Sequence, residues 1–218
     1  MQNNLNEYQV DLHFSSALYR IKKPEFISSV KHVFEEYVAI SKEKNECPSP
    51  VYPCTMTSII SSDERIAPFV QYVSDAAWEI LDSQGYDMRL FYTEASEMWG
   101  QHHPYMSSIE QHFHGSMSQL CGFYFLDTPP DSSKLFIHDP RDAKIYAGLP
   151  FKESETPILA HNMIYYTPEP GDLIFTNSWL AHSFNRNASK LPFNFIHINV
   201  KVVPRDDIAC ETNNPVIV

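Results

Sequence analysis

The chain has 218 residues, of which 43% are hydrophobic and 20% are charged, an ordinary composition for a globular protein. With 27 acidic against 16 basic residues, the net charge of −11 argues against a protein that mainly binds nucleic-acid phosphates, because such binding needs clustered Lys and Arg. No stretch is apolar enough to span a membrane, and the N-terminus lacks the basic and apolar regions of a secretion signal. The sequence therefore predicts a cytoplasmic protein.

Residues 1–87 are predicted to be a helix-rich flank. Apolar residues recur at steps of three and four from Phe26 to Val38, which predicts a helix near residues 25–41. A second apolar stripe, from Ile66 to Leu81, predicts a helix near residues 63–82. Each stripe occupies one side of its helix, so both helices need a partner surface to cover it.

Residues 88–203 have the pattern of short strands. Aromatic and β-branched runs are separated by Pro, Gly, Asp and Asn, with no helical pattern between them, which favours an antiparallel sandwich or barrel. We expect a single domain that is mainly β with flanking helices, built as a double-stranded β-helix of the jelly-roll or cupin type, with residues 204–218 as a C-terminal tail. The predicted strands cover residues 89–93, 122–126, 135–138, 163–167, 173–176 and 193–203.

Three of the ten histidines have the spacing of a metal site. In an extended segment, residues two apart point to the same side, so His112 and His114 can both face one ion. His182 follows a Pro-Gly-Asp turn and an apolar strand. In a double-stranded β-helix, a histidine at such a position lies on a neighbouring strand and completes the metal site. Imidazoles suit iron and other transition metals, and three protein ligands leave coordination positions open for catalysis.

These segments resemble the 2-oxoglutarate/Fe(II)-dependent oxygenases of marine bacteria and their phages, which are distant relatives of the prolyl hydroxylases. The resemblance lies in the family patterns HxH…SGVYY, F-x-DPR and PxPGDLxxF…SWLxHxV. They correspond to QHFH at 111–114 with LCGFYF at 120–125, to LFIHDPR at 135–141, and to PEPGDLIF at 168–175 with SWLAHS at 178–183. The resemblance implies Fe(II) and 2-oxoglutarate as cofactors, dioxygen as co-substrate, and hydroxylation of a small-molecule or peptide substrate.

Two positions depart from the pattern of the resemblance. His114 stands where the wider superfamily has a carboxylate ligand, and Asp139 is the alternative carboxylate. Phe193 stands where the family has an Arg that grips the distal carboxylate of 2-oxoglutarate. In the final strand, alternation puts His197 and Asn199 on the face of that position, so both are predicted to line the co-substrate pocket. The missing positive charge is expected from Lys190, Arg186 or Arg141, and Tyr124 is a further candidate for the pocket.

Two alternatives remain open at this point. A cupin-type metalloenzyme with three histidines and no keto acid would explain the absent Arg. A metal- or sugar-binding β-sandwich without catalytic activity would explain the fold alone. Beyond the metal ligands the sequence predicts no catalytic side chain, and it leaves open both the substrate and the formation of a homo-oligomer.

Overall fold

A computed structural model describes residues 9–44, 53–115, 117–146, 148–152 and 156–205 of the chain. Most of the predicted C-terminal tail, residues 206–218, lies outside these ranges. No helix in the described ranges is long and apolar enough to cross a membrane. The elements in chain order are β1 Leu18–Lys22, α1 Ile27–Glu43, β2 Thr55–Ile59, α2 Ala67–Ser83, β3 Phe91–His103, β4 Ile109–His112, β5 Leu120–Asp127, β6 Leu135–His138, α3 Ala143–Tyr146, β7 Met163–Tyr166, β8 Asp172–Asn177, β9 His182–Phe184 and β10 Phe193–Pro204.

The strands form two antiparallel sheets. The large sheet has the order β1-β8-β5-β10-β3-β2, and the small sheet has the order β4-β9-β6-β7. From β3 to β10 the chain passes back and forth between the two sheets, with one hairpin, β6–β7, inside the small sheet, and this is the winding of a double-stranded β-helix. The predicted fold class is thereby confirmed. β1 and β2 come from the predicted helix-rich flank and extend the large sheet at its two edges.

The two long helices cover the outer face of the large sheet, as their apolar stripes require. Short 3-10 turns precede them at Pro24–Phe26 and Glu64–Ile66. At one crossing point, Phe34 of α1 lies against the backbone of Gly100 in β3, where any Cβ atom would overlap the phenyl ring. The residues buried in this helix-facing core include Val30, Val33, Phe34, Phe69, Val73, Ala77, Leu173, Phe175, Ile196 and Ile198.

A second core lies between the two sheets. Because side chains alternate along a strand, β5, β8 and β10 send every other residue to this side. This interior core is rich in aromatic rings and consists of Cys121, Phe123, Phe125, Leu135, Ile137, Ile174, Leu180, Phe184, Phe193 and Phe195. The strands of the large sheet thus contribute to two cores of different composition, and the histidines belong to the interior one.

Candidate metal centre

Two short strands of the small sheet bring the three histidines together. His112 is the last residue of β4 and is paired across the sheet with His182, the first residue of β9. Two residues after β4, the backbone N–H of His114 donates to the carbonyl oxygen of Ser178 at 2.9 Å. The ring centroids are 4.5 Å apart for His112 and His182, and 5.2 Å apart for the other two pairs. One ring nitrogen of each histidine lies within 4.8 Å of the others.

Backbone carbonyls fix the orientation of two of these rings. Nδ1 of His112 donates to the Glu110 oxygen at 2.9 Å, and Nδ1 of His182 donates to the Leu180 oxygen at 3.1 Å. Since a carbonyl can only accept, each Nδ1 carries the proton and each Nε2 keeps a free lone pair. A histidine that donates its other nitrogen to a carbonyl is the usual form of a metal ligand.

The site contains buried nitrogens without a partner. Nε2 of His114 and Nε2 of His182 are both buried and make no hydrogen bond to the described residues. Burial lowers the pKa of His114 to about 4 and the pKa of His182 to about 3, so both imidazoles are neutral near pH 7. Leaving such groups unpaired is costly. A divalent ion that accepts their lone pairs would remove this cost, so the donor set fits a transition metal.

Asp139, the alternative carboxylate ligand, lies outside the cluster. Its Oδ1 accepts from the backbone N–H and Nε of Arg141, and its Oδ2 accepts from Nη2 of Arg141 and Nζ of Lys144, all at 2.7–3.0 Å. The Arg141 guanidinium holds the pKa of this carboxyl well below its usual range. The structure therefore groups His114, and not Asp139, with the other two histidines.

A chain of hydrogen bonds begins beside the cluster and leads away from it. The buried ring of His197 stacks on His114 with 4.5 Å between centroids, and its Nε2 lies 3.2 Å from Oδ1 of Asn199. Nδ2 of Asn199 donates to Glu97 at 3.1 Å, and Glu97 pairs with Lys201 at 2.8 Å. His197 and Asn199 thus lie on the interior face of β10 beside the histidine cluster, on the face that alternation predicts. Glu97 and Lys201 are not among the residues that the sequence predicts for this site, although Lys201 follows Asn199 at the same two-residue spacing along β10.

The remaining candidates for the co-substrate pocket lie elsewhere. Tyr124 is a wrong prediction, because its ring packs on Phe69 at 4.6 Å in the helix-facing core and its hydroxyl donates to the Lys23 oxygen. The Arg141 side chain is 61% exposed and is held by Asp139. Lys190 is exposed, and its Nζ lies 3.7 Å from the centroid of the Tyr105 ring. Arg186 is also exposed.

Phe123 occupies the interior face at the place where sequence reasoning considered Tyr124. Its ring centroid is 5.0 Å from that of His182 and 5.2 Å from that of His197. Behind it, Phe184 and Phe195 pack on the same ring at 5.6 and 6.2 Å. Phenyl rings therefore pack directly against the histidine cluster on its inner side.

Residues 97–193 match a protein-family model described as "Putative 2OG-Fe(II) oxygenase", where 2OG stands for 2-oxoglutarate. The matched segment contains all three histidines of the cluster. No curated protein sequence matches the chain significantly.

Several solved structures have the same fold at low sequence identity. A prolyl-4-hydroxylase from Pseudomonas putida is 11% identical and has a TM-score of 0.56, with 86% of this chain and 93% of the other covered. A viral collagen prolyl hydroxylase from Paramecium bursaria Chlorella virus-1, solved with 2-oxoglutarate, is 10% identical with a TM-score of 0.53, at coverages of 85% and 96%. EctD from S. alaskensis, solved with 2-oxoglutarate and 5-hydroxyectoine, is 12% identical with a TM-score of 0.60, at coverages of 85% and 72%.

Proposed function

We propose that this chain, a 2-oxoglutarate/Fe(II)-dependent oxygenase by its family match and its fold, binds ferrous iron through His112, His114 and His182 and hydroxylates a small-molecule or peptide substrate. Iron and 2-oxoglutarate are the cofactors of this enzyme family, and dioxygen is the second substrate. The observation that carries the proposed ligand set is the convergence of two buried, unpartnered Nε2 atoms on the ring of His112.

When bound at this site, ferrous iron would activate dioxygen. The reduction of dioxygen needs more electrons than oxidation of the substrate provides, and a 2-oxo acid would supply the rest. The protein contributes three neutral donors. The carbonyl oxygens of Glu110 and Leu180 hold two of the rings in the tautomer whose Nε2 is free. Because no carboxylate is among the three proposed ligands, the ion would keep its full double charge toward anionic ligands.

The surroundings of the site favour one open side. His182 is completely buried and His197 is 1% exposed, whereas His112 is only partly buried. Phe123 excludes water from the side of His182 and His197. Substrate would therefore approach from the side of His112, where the ring of Phe113 is 65% exposed.

The test measures metal binding and turnover separately. Anaerobic Fe(II) titration of the wild-type chain should give one bound ion, and dioxygen-dependent release of succinate and carbon dioxide should follow at saturating 2-oxoglutarate. His182→Ala should lose both, because it removes one of the three proposed ligands. His32→Ala is the matched control, since His32 lies on the exposed side of α1 and pairs with Glu36.

The two alternatives give different results in the same assay. A three-histidine metalloenzyme without a keto acid is favoured by one observation, Phe193 in place of the family's Arg, and it would bind iron without releasing succinate. A non-catalytic metal- or sugar-binding sandwich would consume no dioxygen with any 2-oxo acid.

A further inference from the structure

The interior behind the proposed iron ligands contains no cationic side chain. All sixteen Lys and Arg residues of the chain lie within the described ranges. None of these sixteen is among the buried residues. A bound 2-oxoglutarate has a second carboxylate at the end remote from the metal, and such a group normally needs a bidentate or ammonium partner when it is taken out of water.

Phe193 belongs to a layer of phenyl rings on the interior face. It is completely buried at the start of β10, and its centroid lies 5.9 Å from those of Phe125 and Phe184 and 5.4 Å from that of Phe195. Phe184 and Phe195 are themselves stacked at 4.7 Å. From His182 through Phe123 to Phe193 the interior face therefore presents a continuous aromatic surface.

His103 is a polar group packed into this layer, and it is unsuited to hold an anion. The ring of His103 stacks on Phe195 at 5.4 Å and is completely buried. Its two nitrogens are already occupied, one by Ser107 at 2.9 Å and the other by Gln101 at 3.0 Å, with Cys54 also within reach. Burial lowers the pKa of His103 to about 3, so the ring carries no charge near pH 7.

Lys201 lies at the opposite end of the row that contains His197. It follows Asn199 along β10, whereas Phe195 and Phe193 precede His197. Its Nζ is paired with Glu97, which also accepts from Asn199. A carboxylate directed at Lys201 would have to displace Glu97, and it would lie away from the aromatic layer.

We infer that the co-substrate pocket selects 2-oxo acids with an uncharged, apolar tail over 2-oxoglutarate. The inference rests on the proposed iron site, which would hold any 2-oxo acid through its 1-carboxylate and 2-oxo group. The tail then lies against Phe123, Phe195 and Phe193, where methyl or phenyl groups gain contact and a carboxylate finds no counter-ion. 2-Oxoglutarate still binds through its head, but more weakly than an apolar analogue of the same shape.

The direct test compares two matched ligands on the wild-type protein. In 5-methyl-2-oxohexanoate, two methyl groups take the places of the two distal carboxylate oxygens of 2-oxoglutarate. Each acid is titrated anaerobically into Fe(II)-loaded protein, and binding is followed by the visible charge-transfer band of the chelate. We expect the methyl analogue to bind more tightly by at least about tenfold, or roughly 1.4 kcal/mol. Equal or tighter binding of 2-oxoglutarate would overturn the inference.

Variants assign the effect to the aromatic layer. Phe193→Arg restores the guanidinium of the family pattern and should reverse the preference, whereas Phe193→Leu should keep it. Lys201→Met should leave 2-oxoglutarate affinity unchanged, and a loss of at least about tenfold there would show that Lys201 holds the carboxylate and would refute the inference. If Phe193→Arg does not fold, the wild-type comparison still decides.

Loss of the iron site and loss of the selectivity are separable. A wild-type chain that binds no Fe(II) would refute the proposed function together with this inference. A chain that binds Fe(II), binds 2-oxoglutarate at least as tightly as the methyl analogue and releases succinate would refute the inference and leave the proposed function intact. A chain that binds Fe(II) but shows no chelate band with either acid would refute both and would support the three-histidine reaction without a keto acid.

Discussion

The two faces of the large sheet differ in what they bury. The helix-facing core is formed mainly by aliphatic residues and Phe, and Tyr124, the one fully buried phenol among the described residues of this core, has a hydrogen-bond partner. The interior face carries stacked phenyl rings beside His182 and His197, and beside two ring nitrogens that have no hydrogen-bond partner in the described part of the chain. Consecutive residues of the same strands point to opposite faces of the sheet. One set of residues therefore stabilises the fold, and the other set surrounds the candidate metal site. The outer face holds the helices in place, and the inner face leaves polar atoms unsatisfied where a ligand can satisfy them.

The largest expected effect is at the third metal ligand. His114→Ala should lower Fe(II) affinity by more than the roughly 10–100-fold that loss of a supporting residue costs. Asp139→Ala is the matched variant and should retain the metal, because its carboxylate is held by Arg141 and Lys144 away from the cluster. Metal content after gel filtration, measured by atomic emission, checks both variants. Retention of iron by His114→Ala with loss in Asp139→Ala would reverse the ligand assignment.

The helix-facing core should affect stability without affecting the metal. Phe69 is completely buried and packs on Phe26 and Tyr124. Phe69→Ala should lower the free energy of unfolding by about 3–5 kcal/mol, because it removes a ring and leaves a cavity. Urea unfolding of the metal-free protein measures this loss. The fraction that remains folded should bind Fe(II) with unchanged affinity, and a parallel loss of metal affinity would mean that the two faces are not independent.

Phe123 and Tyr124 sharpen the comparison because they are adjacent in sequence and lie on opposite faces. Tyr124→Phe removes the hydrogen bond to Lys23 and should cost about 0.5–1.5 kcal/mol of stability with no change in metal binding. Phe123→Leu should weaken metal or 2-oxo acid binding by up to about tenfold, because the ring supports His182 and His197. Isothermal titration of both variants separates these outcomes. An effect of Tyr124→Phe on 2-oxo acid affinity would contradict the placement of its side chain.

The sequence predicts the fold and the histidine trio because both rest on strong local patterns. His112 and His114 lie on the same side of an extended segment, wherever the strand itself begins or ends. The motifs around His182 place it on a neighbouring strand. The short strands β4 and β9, with sequences IEQH and HSF, were missed because they lack the runs of aromatic and aliphatic residues that mark the equally short β6 and β7. The orientation of Tyr124 could not be predicted either, because β5 is buried on both faces from Leu120 to Leu126 and its one charged residue, Asp127, stands at the end of the strand.

The basic residues show a second limit of sequence reasoning. Arg141, Arg186 and Lys190 were chosen for their position in matching motifs or nearby loops, and a loop position does not specify where a long side chain ends. Arg141 binds back to Asp139 two residues away, which is a local turn contact. Lys201 was not considered because the sequence does not show that Glu97 of β3 lies beside it, and the two side chains pair at 2.8 Å.

The smallest expected effect is a pH dependence of stability that comes from this turn. The Arg141 guanidinium, and after it the Lys144 ammonium, hold the pKa of the Asp139 carboxyl below its ordinary value. A carboxyl with a depressed folded-state pKa stabilises the protein above its unfolded value of about 3.9, and this contribution is lost as the pH falls toward the folded value. Asp139→Asn should therefore flatten the decline in stability below about pH 4 without changing stability differences between neutral and mildly alkaline pH.

Urea unfolding of the metal-free protein as a function of pH measures this, with Asp87→Asn as the control for an exposed Asp–Arg turn of the same spacing. Because the Arg89 partner of Asp87 is 84% exposed, water screens that pair and the control should change the acid limb less. Equal changes in the two variants would mean that burial of the Asp139 carboxylate adds nothing to its stabilising effect.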